Sequence, residues 1–186
     1  MILSSLNEIN KRPVGSVCFT GHRQFSAGEA ATASKLLDDI IDTLADPDGE
    51  FKTVSFYAGG AVGFDTLAAE AVLRAKEKYP SVRLVLLLPC KGQDRGWTPE
   101  DKQKYADILK AADSFTFYGE HYFRGCMQIR DRALADNAEL CIAWLRPGET
   151  DGGTVFTVKY AEKSGKTVLN LCPDAKGGDE ELRISF

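Results

Sequence analysis

The sequence predicts an α/β protein with a mostly parallel sheet of about six strands and helices on both faces, a three-layer αβα arrangement. Three observations predict it. Six short apolar runs rich in β-branched or aromatic residues recur along the chain, each suited to a strand buried on both faces. Between them lie stretches with apolar residues at helical spacing. Runs and helical stretches alternate, with crossovers long enough to join parallel strands.

In chain order the first strand is "SVCFT" (16–20), followed by a helix carrying Leu36, Leu37, Ile40, Ile41 and Leu44. "TVSFY" (53–57) is next, then a helix with Leu67, Ala71, Val72 and Ala75. "RLVLLL" (83–88), "SFTFY" (114–118), "LCIAWL" (140–145) and "TVLNL" (167–171) complete the strands, with helices over 99–111, 128–137 and 154–164. Residues 14–172 form one expected domain. Residues 1–13 read as a polar arm and 173–186 as a tail.

A chain of 186 residues supports one well-buried core. The formal charge of -4 excludes the wide basic surface that non-specific nucleic-acid binding requires, although a local basic pocket is compatible with it. The longest apolar run, "VLLLP", is far too short to span a bilayer and the N-terminus lacks a secretory pattern, so a cytoplasmic protein is expected. Five cysteines without CxxC spacing fit reduced thiols. Two histidines and no acidic or cysteine cluster argue against a metal site.

The connections are unequal. Helix-to-strand links such as "YPSV" and "KSGK" are plain, whereas strand-to-helix links read "TGHRQFS", "AGGAVGFD", "PCKGQDRGWTPE", "YGEHYFRGCMQIR" and "RPGETDGGT". In a parallel sheet the second set emerges at the carboxyl edge, where open α/β sheets bind ligands.

Gly59, Gly60 and Gly63 precede the second helix, and Gly152, Gly153 and Thr154 open the last long one. Bare helix entrances attract phosphate through unpaired N–H groups and the positive helix end. A glycine-rich corner does the same to the backbone without any ligand, so for the first entrance alone cradle and corner are equally good readings. Asp65 either caps its helix or accepts hydrogen bonds from a ribose. Thr20, Gly21, His22 and Arg23 in "TGHR", with Arg130 in "MQIRDR", are the expected polar and cationic partners, Arg95 and Arg124 being weaker ones. Trp97 could stack on a base or simply close its loop.

Three other signals lead nowhere. "SGKT" (164–167) runs from helix to strand and lacks the first glycine of a phosphate loop, and no GxGxxG fingerprint is present. A Cys126 nucleophile beside His121 or His22 has no specified base or oxyanion hole.

As an ordered set, "TGHR", "AGGAVGFDTLAAE", "MQIRDR" and "GGT" with a further Thr three residues on resemble the YpsA/YoqJ-like branch of the SLOG superfamily, which unites Smf/DprA proteins with LOG-type nucleotide hydrolases. The resemblance covers about residues 14 to 172. It implies a Rossmann-like fold binding a nucleotide or nucleotide-derived ligand, ADP-ribose-like ligands included, at the glycine-rich edge. LOG-type enzymes split nucleotide N-glycosidic bonds with a Glu in "PGGxGTxxE" and an Arg in "MHxRK". Here Met127 and Arg130 match, Gln128 replaces the His, and Thr157 stands where the catalytic Glu is expected. Thr cannot stabilise a developing cation. Hydrolysis by that route therefore needs Asp65, Glu70 or Asp151 as a substitute.

The favoured reading is a nucleotide-binding sensor or regulator. The alternative is a hydrolase or transferase acting on nucleotide N-glycosidic bonds, with Asp65 and Arg130 as catalytic candidates. A third, single-stranded DNA binding, follows the DprA side of the resemblance, and the acidic balance argues against it. The sequence leaves self-association open; homodimers are common among related folds.

Overall fold

The computed structural model describes residues 14–45, 53–173 and the backbone of 183–185. The expected arm, residues 1–13, lies outside this set. Strands β1 (Ser16–Gly21), β2 (Val54–Ala58), β3 (Val82–Leu88), β4 (Ser114–Phe117), β5 (Leu140–Trp144) and β6 (Thr167–Asn170) alternate with α1 (Ala27–Leu44), α2 (Phe64–Lys78), α3 (Pro99–Ala111), α4 (Cys126–Asp136) and α5 (Gly153–Lys163). A last strand, β7 (Arg183–Ser185), follows. The sheet order is β4-β3-β2-β1-β5-β6-β7. β1 to β6 are parallel, and β7 pairs antiparallel with β6.

This is the expected three-layer α/β, Rossmann-like arrangement, with two differences. β7 falls inside the segment read as a tail: three residues in a polar stretch carry too little periodicity to announce a strand. β4 was expected to be buried, yet it ends the sheet and only Phe117 is partly covered. An apolar run signals strand propensity, and burial depends on which strands flank it.

The helices divide the core in two. Leu37, Ile40 and Ile41 of α1, Phe64, Ala68 and Val72 of α2 and Ile108 of α3 pack with Phe19, Phe56 and Leu86 on one face. Leu134 and Ala135 of α4 and Val158 and Ala161 of α5 pack with Cys18, Leu87 and Cys141 on the other. None of the five cysteines is held in a disulfide.

This division places the site. From β1 the chain builds toward β4 on one side, then crosses to β5 on the opposite side of β1. The loops leaving β1 and β5 consequently lead to helices on opposite faces and part at the carboxyl edge. Ligands of open α/β sheets bind at such a switch point.

Candidate functional site

A cleft of about 500 Å³ opens at this switch point. Thr20, Gly21, His22 and Arg23 line it from the end of β1, Ala61 and Asp65 from the start of α2, Met127, Gln128, Arg130 and Asp131 from α4, and Asp151, Gly152, Gly153 and Thr154 from the entrance to α5. Nine of the twelve sequence-predicted binding residues thus share one wall system. Gly59, Gly60 and Gly63 do not line it.

The reason is that their missing side chains are already replaced by protein. A Cβ at Gly59 would collide with the Arg130 guanidinium, and one at Gly60 would meet Leu88, Gln93 and Tyr105. At Gly63 (φ 85°) it would meet the backbone of His22 and Arg23 at 2.5 and 2.6 Å. The β1–α1 loop packs there closely enough for the His22 carbonyl to accept the Phe64 N–H at 3.1 Å. This first entrance is a packed corner. Its glycines make room for protein atoms, and only Ala61 and Asp65 of this entrance reach the cleft.

The second entrance differs. Gly152 (φ 102°) caps α5 without a side-chain hydrogen bond, and nothing stands within 4 Å of where its Cβ would be. The Gly152 N–H donates to Asp151 Oδ1 at 2.7 Å, and the first turn that follows offers its N–H groups and partial positive charge to the cleft.

Arg130 and Asp65, the two catalytic candidates, form a buried cluster with Asp131, the three residues being 7, 5 and 6% exposed. Arg130 Nε donates to Asp131 Oδ1 at 2.7 Å and Nη1 to the Gly59 carbonyl at 2.7 Å, with Asp65 Oδ2 3.7 Å from Nη1. The Ala61 N–H donates to Asp65 at 3.3 Å. Burial pushes both carboxyls above their ordinary range, against the pull of Arg130. Two carboxyls share one guanidinium, so this group holds the floor together and offers the cleft acidic rather than cationic character.

Arg23 is the complement. It is exposed on the cleft rim and makes no hydrogen bond or ion pair among the described residues. His22 is half-buried, and its Nε2 accepts the Arg146 N–H at 3.2 Å. Burial, then the Arg146 charge, lower its pKa. The ring is therefore neutral at pH 7, with its proton on Nδ1.

Asp131 is the buried cleft carboxyl that sequence reasoning missed. It lies inside "MQIRDR", but an Asp beside an Arg reads as a surface pair until burial is known. Of the proposed carboxylate substitutes, Asp65 and Asp151 line the cleft and Glu70 does not. Thr157 is fully buried, its hydroxyl donating to the Gly153 carbonyl at 2.8 Å. Arg95, Arg124 and Trp97 lie off the cleft wall. The Trp97 ring packs edge-on against Tyr105 at 5.4 Å and closes its own loop.

The sequence profile of the YspA SLOG family (YpsA) matches residues 17–170, almost the whole described core. The chain belongs to this SLOG family. YoqJ, an SPbeta prophage-derived protein of Bacillus subtilis, is 27% identical over 157 residues, covering 77% of this chain and 91% of YoqJ. The UPF0398 protein OB1025 of Oceanobacillus iheyensis is 31% identical over 130 residues, 67% of this chain and 70% of that protein. Among solved structures, DNA processing protein A of Helicobacter pylori superposes with a TM-score of 0.61 at 18% identity, over 93% of this chain and 72% of that one. Its structure is described for a single-stranded DNA binding mode. At that identity the likeness establishes a shared fold between this SLOG protein and its neighbour. No helix among the described residues is long and apolar enough to cross a membrane.

Proposed function

We propose that this SLOG protein binds a nucleotide or nucleotide-derived ligand in the switch-point cleft and acts as a sensor or regulator. A phosphate sits at the α5 entrance formed by Gly152, Gly153 and Thr154, on the N–H groups of Gly153 and Thr154, since the Gly152 N–H is held by Asp151, with Arg23 as its cationic partner. Asp131 and Asp151 are placed to accept hydrogen bonds from ribose hydroxyls. The observation that carries this reading is the start of α5, where the Gly152 N–H is taken by Asp151 Oδ1 at 2.7 Å but no side chain caps the following turn, on the same cleft as the exposed Arg23. Gly59, Gly60 and Gly63 keep a structural part, shaping the corner against which Arg130 and the β1–α1 loop pack.

Thermal unfolding across a panel of nucleotides and ADP-ribose tests it. A matching ligand at a hundred times its dissociation constant adds about 2.7 kcal/mol of stability. A panel at millimolar concentration that leaves the melting point unmoved removes the proposal.

A second reading is favoured by one observation: Asp65 and Asp131 are cleft carboxyls held above their ordinary range. A carboxyl of that kind can act as a proton donor in glycosidic cleavage. Release of free base from nucleoside monophosphates, lost in Asp131→Asn, would make the protein an enzyme.

A further inference from the structure

Every large exposed hydrophobic side chain among the described residues falls between positions 115 and 129: Phe115 (50% exposed), Tyr118 (36%), Tyr122 (70%), Phe123 (39%) and Ile129 (40%). They follow one stretch of chain, from β4 through the β4–α4 loop into α4. Among the described residues β4 ends the sheet and no strand lies along its outer side. Native edge strands are usually guarded by a charge, a proline or a bulge. Ser114–Phe117 reads SFTF and carries neither charge nor proline. Phe115 and Phe117 meet edge to face at 5.6 Å, with the first ring half in solvent.

We propose that this edge is the interface with a second copy of the chain: β4 pairs antiparallel with its own symmetry mate across a two-fold axis, and the aromatic residues of the following loop close over the joint. Area is one argument. Fully covering a Phe or Tyr removes about 150–250 Å², so the exposed fractions of the four aromatics supply roughly 300–500 Å², about half of the ~800 Å² per partner in a stable interface. Main-chain pairing along β4 and Ile129 add to it.

Charge is the other argument. Within residues 114–125 the charged side chains are Glu120, which pairs with Lys91 at 2.7 Å, and Arg124. Asp113, at the mouth of β4, pairs with Lys76 at 2.7 Å. A surface that meets itself across a two-fold axis must not repel itself. This one presents a net charge of about one beside a large apolar area, too little to select an oppositely charged partner and little hindrance to a copy. The interface meets the cleft at α4, where Ile129 stands among the cleft residues Met127, Gln128, Arg130 and Asp131, but its test reads the mass of the protein without any nucleotide, so it holds or fails apart from what the cleft binds.

Light scattering or sedimentation equilibrium over a concentration series decides the matter. The wild-type mass should approach twice the 20.4 kDa chain, and Phe115→Glu and Tyr122→Glu, both at exposed positions, should return it to one chain with unchanged circular dichroism. A wild type that stays at single-chain mass up to millimolar concentration overturns the proposal. So does a dimer that neither substitution weakens. Should both variants misfold, amide exchange of residues 114–117 in the wild type still reports: protection must rise with protein concentration, and protection independent of it places any interface elsewhere.

Discussion

Arg23 and Arg130 look alike in the sequence, each following a strand at the carboxyl edge with a glycine nearby, and the structure gives them opposite work. Arg130 is spent on Asp131, the Gly59 carbonyl and Asp65. Replacing it with Ala leaves two buried carboxyls without their cation, and breaking a buried pair in this way costs about 3–5 kcal/mol. The pH dependence has a definite sign. Both carboxyls have native pKa values above their ordinary ones, so between those values the native state binds more protons than the unfolded state and stability falls as pH rises. Removing Arg130 moves both values further up. Urea unfolding should therefore show an Arg130→Ala deficit that shrinks as pH is lowered; a deficit that grows on acidification contradicts the cluster. Arg23→Ala should leave stability within about 0.5 kcal/mol, as expected for an unpartnered surface group. It should weaken nucleotide binding by about 10- to 100-fold, the worth of a charge-assisted hydrogen bond, as titration calorimetry would read. Little of this difference was legible in the sequence, because Arg130 finds Gly59 at a separation of 71 residues. Spacing along the chain brought both arginines to the right edge and could say nothing of their partners.

The starts of α1 and α5 show the same contrast between elements. At α1, Ser26 and Glu29 form a reciprocal capping box. The Glu29 carboxylate also accepts Arg146 Nε at 2.9 Å, and Arg146 Nη2 donates to the Gln24 carbonyl at 2.7 Å. One carboxylate thereby closes a helix and fixes the loop after β5, whose Arg146 N–H holds His22 at the cleft. The Arg146 and Ser26 hydrogen bonds hold the Glu29 carboxyl at about 2, against an ordinary value of 4.5. A depressed carboxyl stabilises the fold above its unfolded value and loses that contribution as pH falls through its native value. Glu29→Gln should thus destabilise at neutral pH, and its difference from wild type should fade between pH 4.5 and about 2, followed by melting curves. Ser26→Ala removes the cap and the Oγ–H bond to Glu29 but leaves the Arg146 and Ser26 N–H bonds to that carboxylate, so it should cost about 1 kcal/mol with a weaker pH dependence than Glu29→Gln. The first turns of α1 escaped the periodicity reading because Ala27, Gly28, Ala30 and Ala31 give no apolar stripe, although Ser26 and Glu29 stood three apart as capping residues do. By contrast the inner strands were plain, since β1 and β5, buried on both faces, must read as unbroken apolar runs. At α5 Asp151 Oδ1 accepts the Gly152 N–H at 2.7 Å, and the amides of the next turn are what the cleft offers.

At the scale of the whole molecule, the shared fold with DNA processing protein A raises the question of whether this chain also holds single-stranded DNA. The two superpose over 93% of this chain, but a fold carries no ligand with it; the surface chemistry decides. Binding a DNA strand draws most of its affinity from neutralised phosphates and released counterions, and so needs several cations along a path. Here the formal charge is -4. The cleft sets Asp65, Asp131 and Asp151 against Arg23 and Arg130, and Arg130 is already paired. One free arginine and one helix entrance can hold a single phosphate group, whereas successive phosphates of a strand would run past carboxylates. A mobility-shift titration with an unlabelled-sequence pool of single-stranded oligonucleotides should accordingly show no complex even at low salt, under conditions where a mononucleotide still raises the melting point. A complex that appears at low salt and dissolves steeply as salt is added would mean that several phosphates are being neutralised, and would move the functional surface from the cleft to a basic path elsewhere on the molecule.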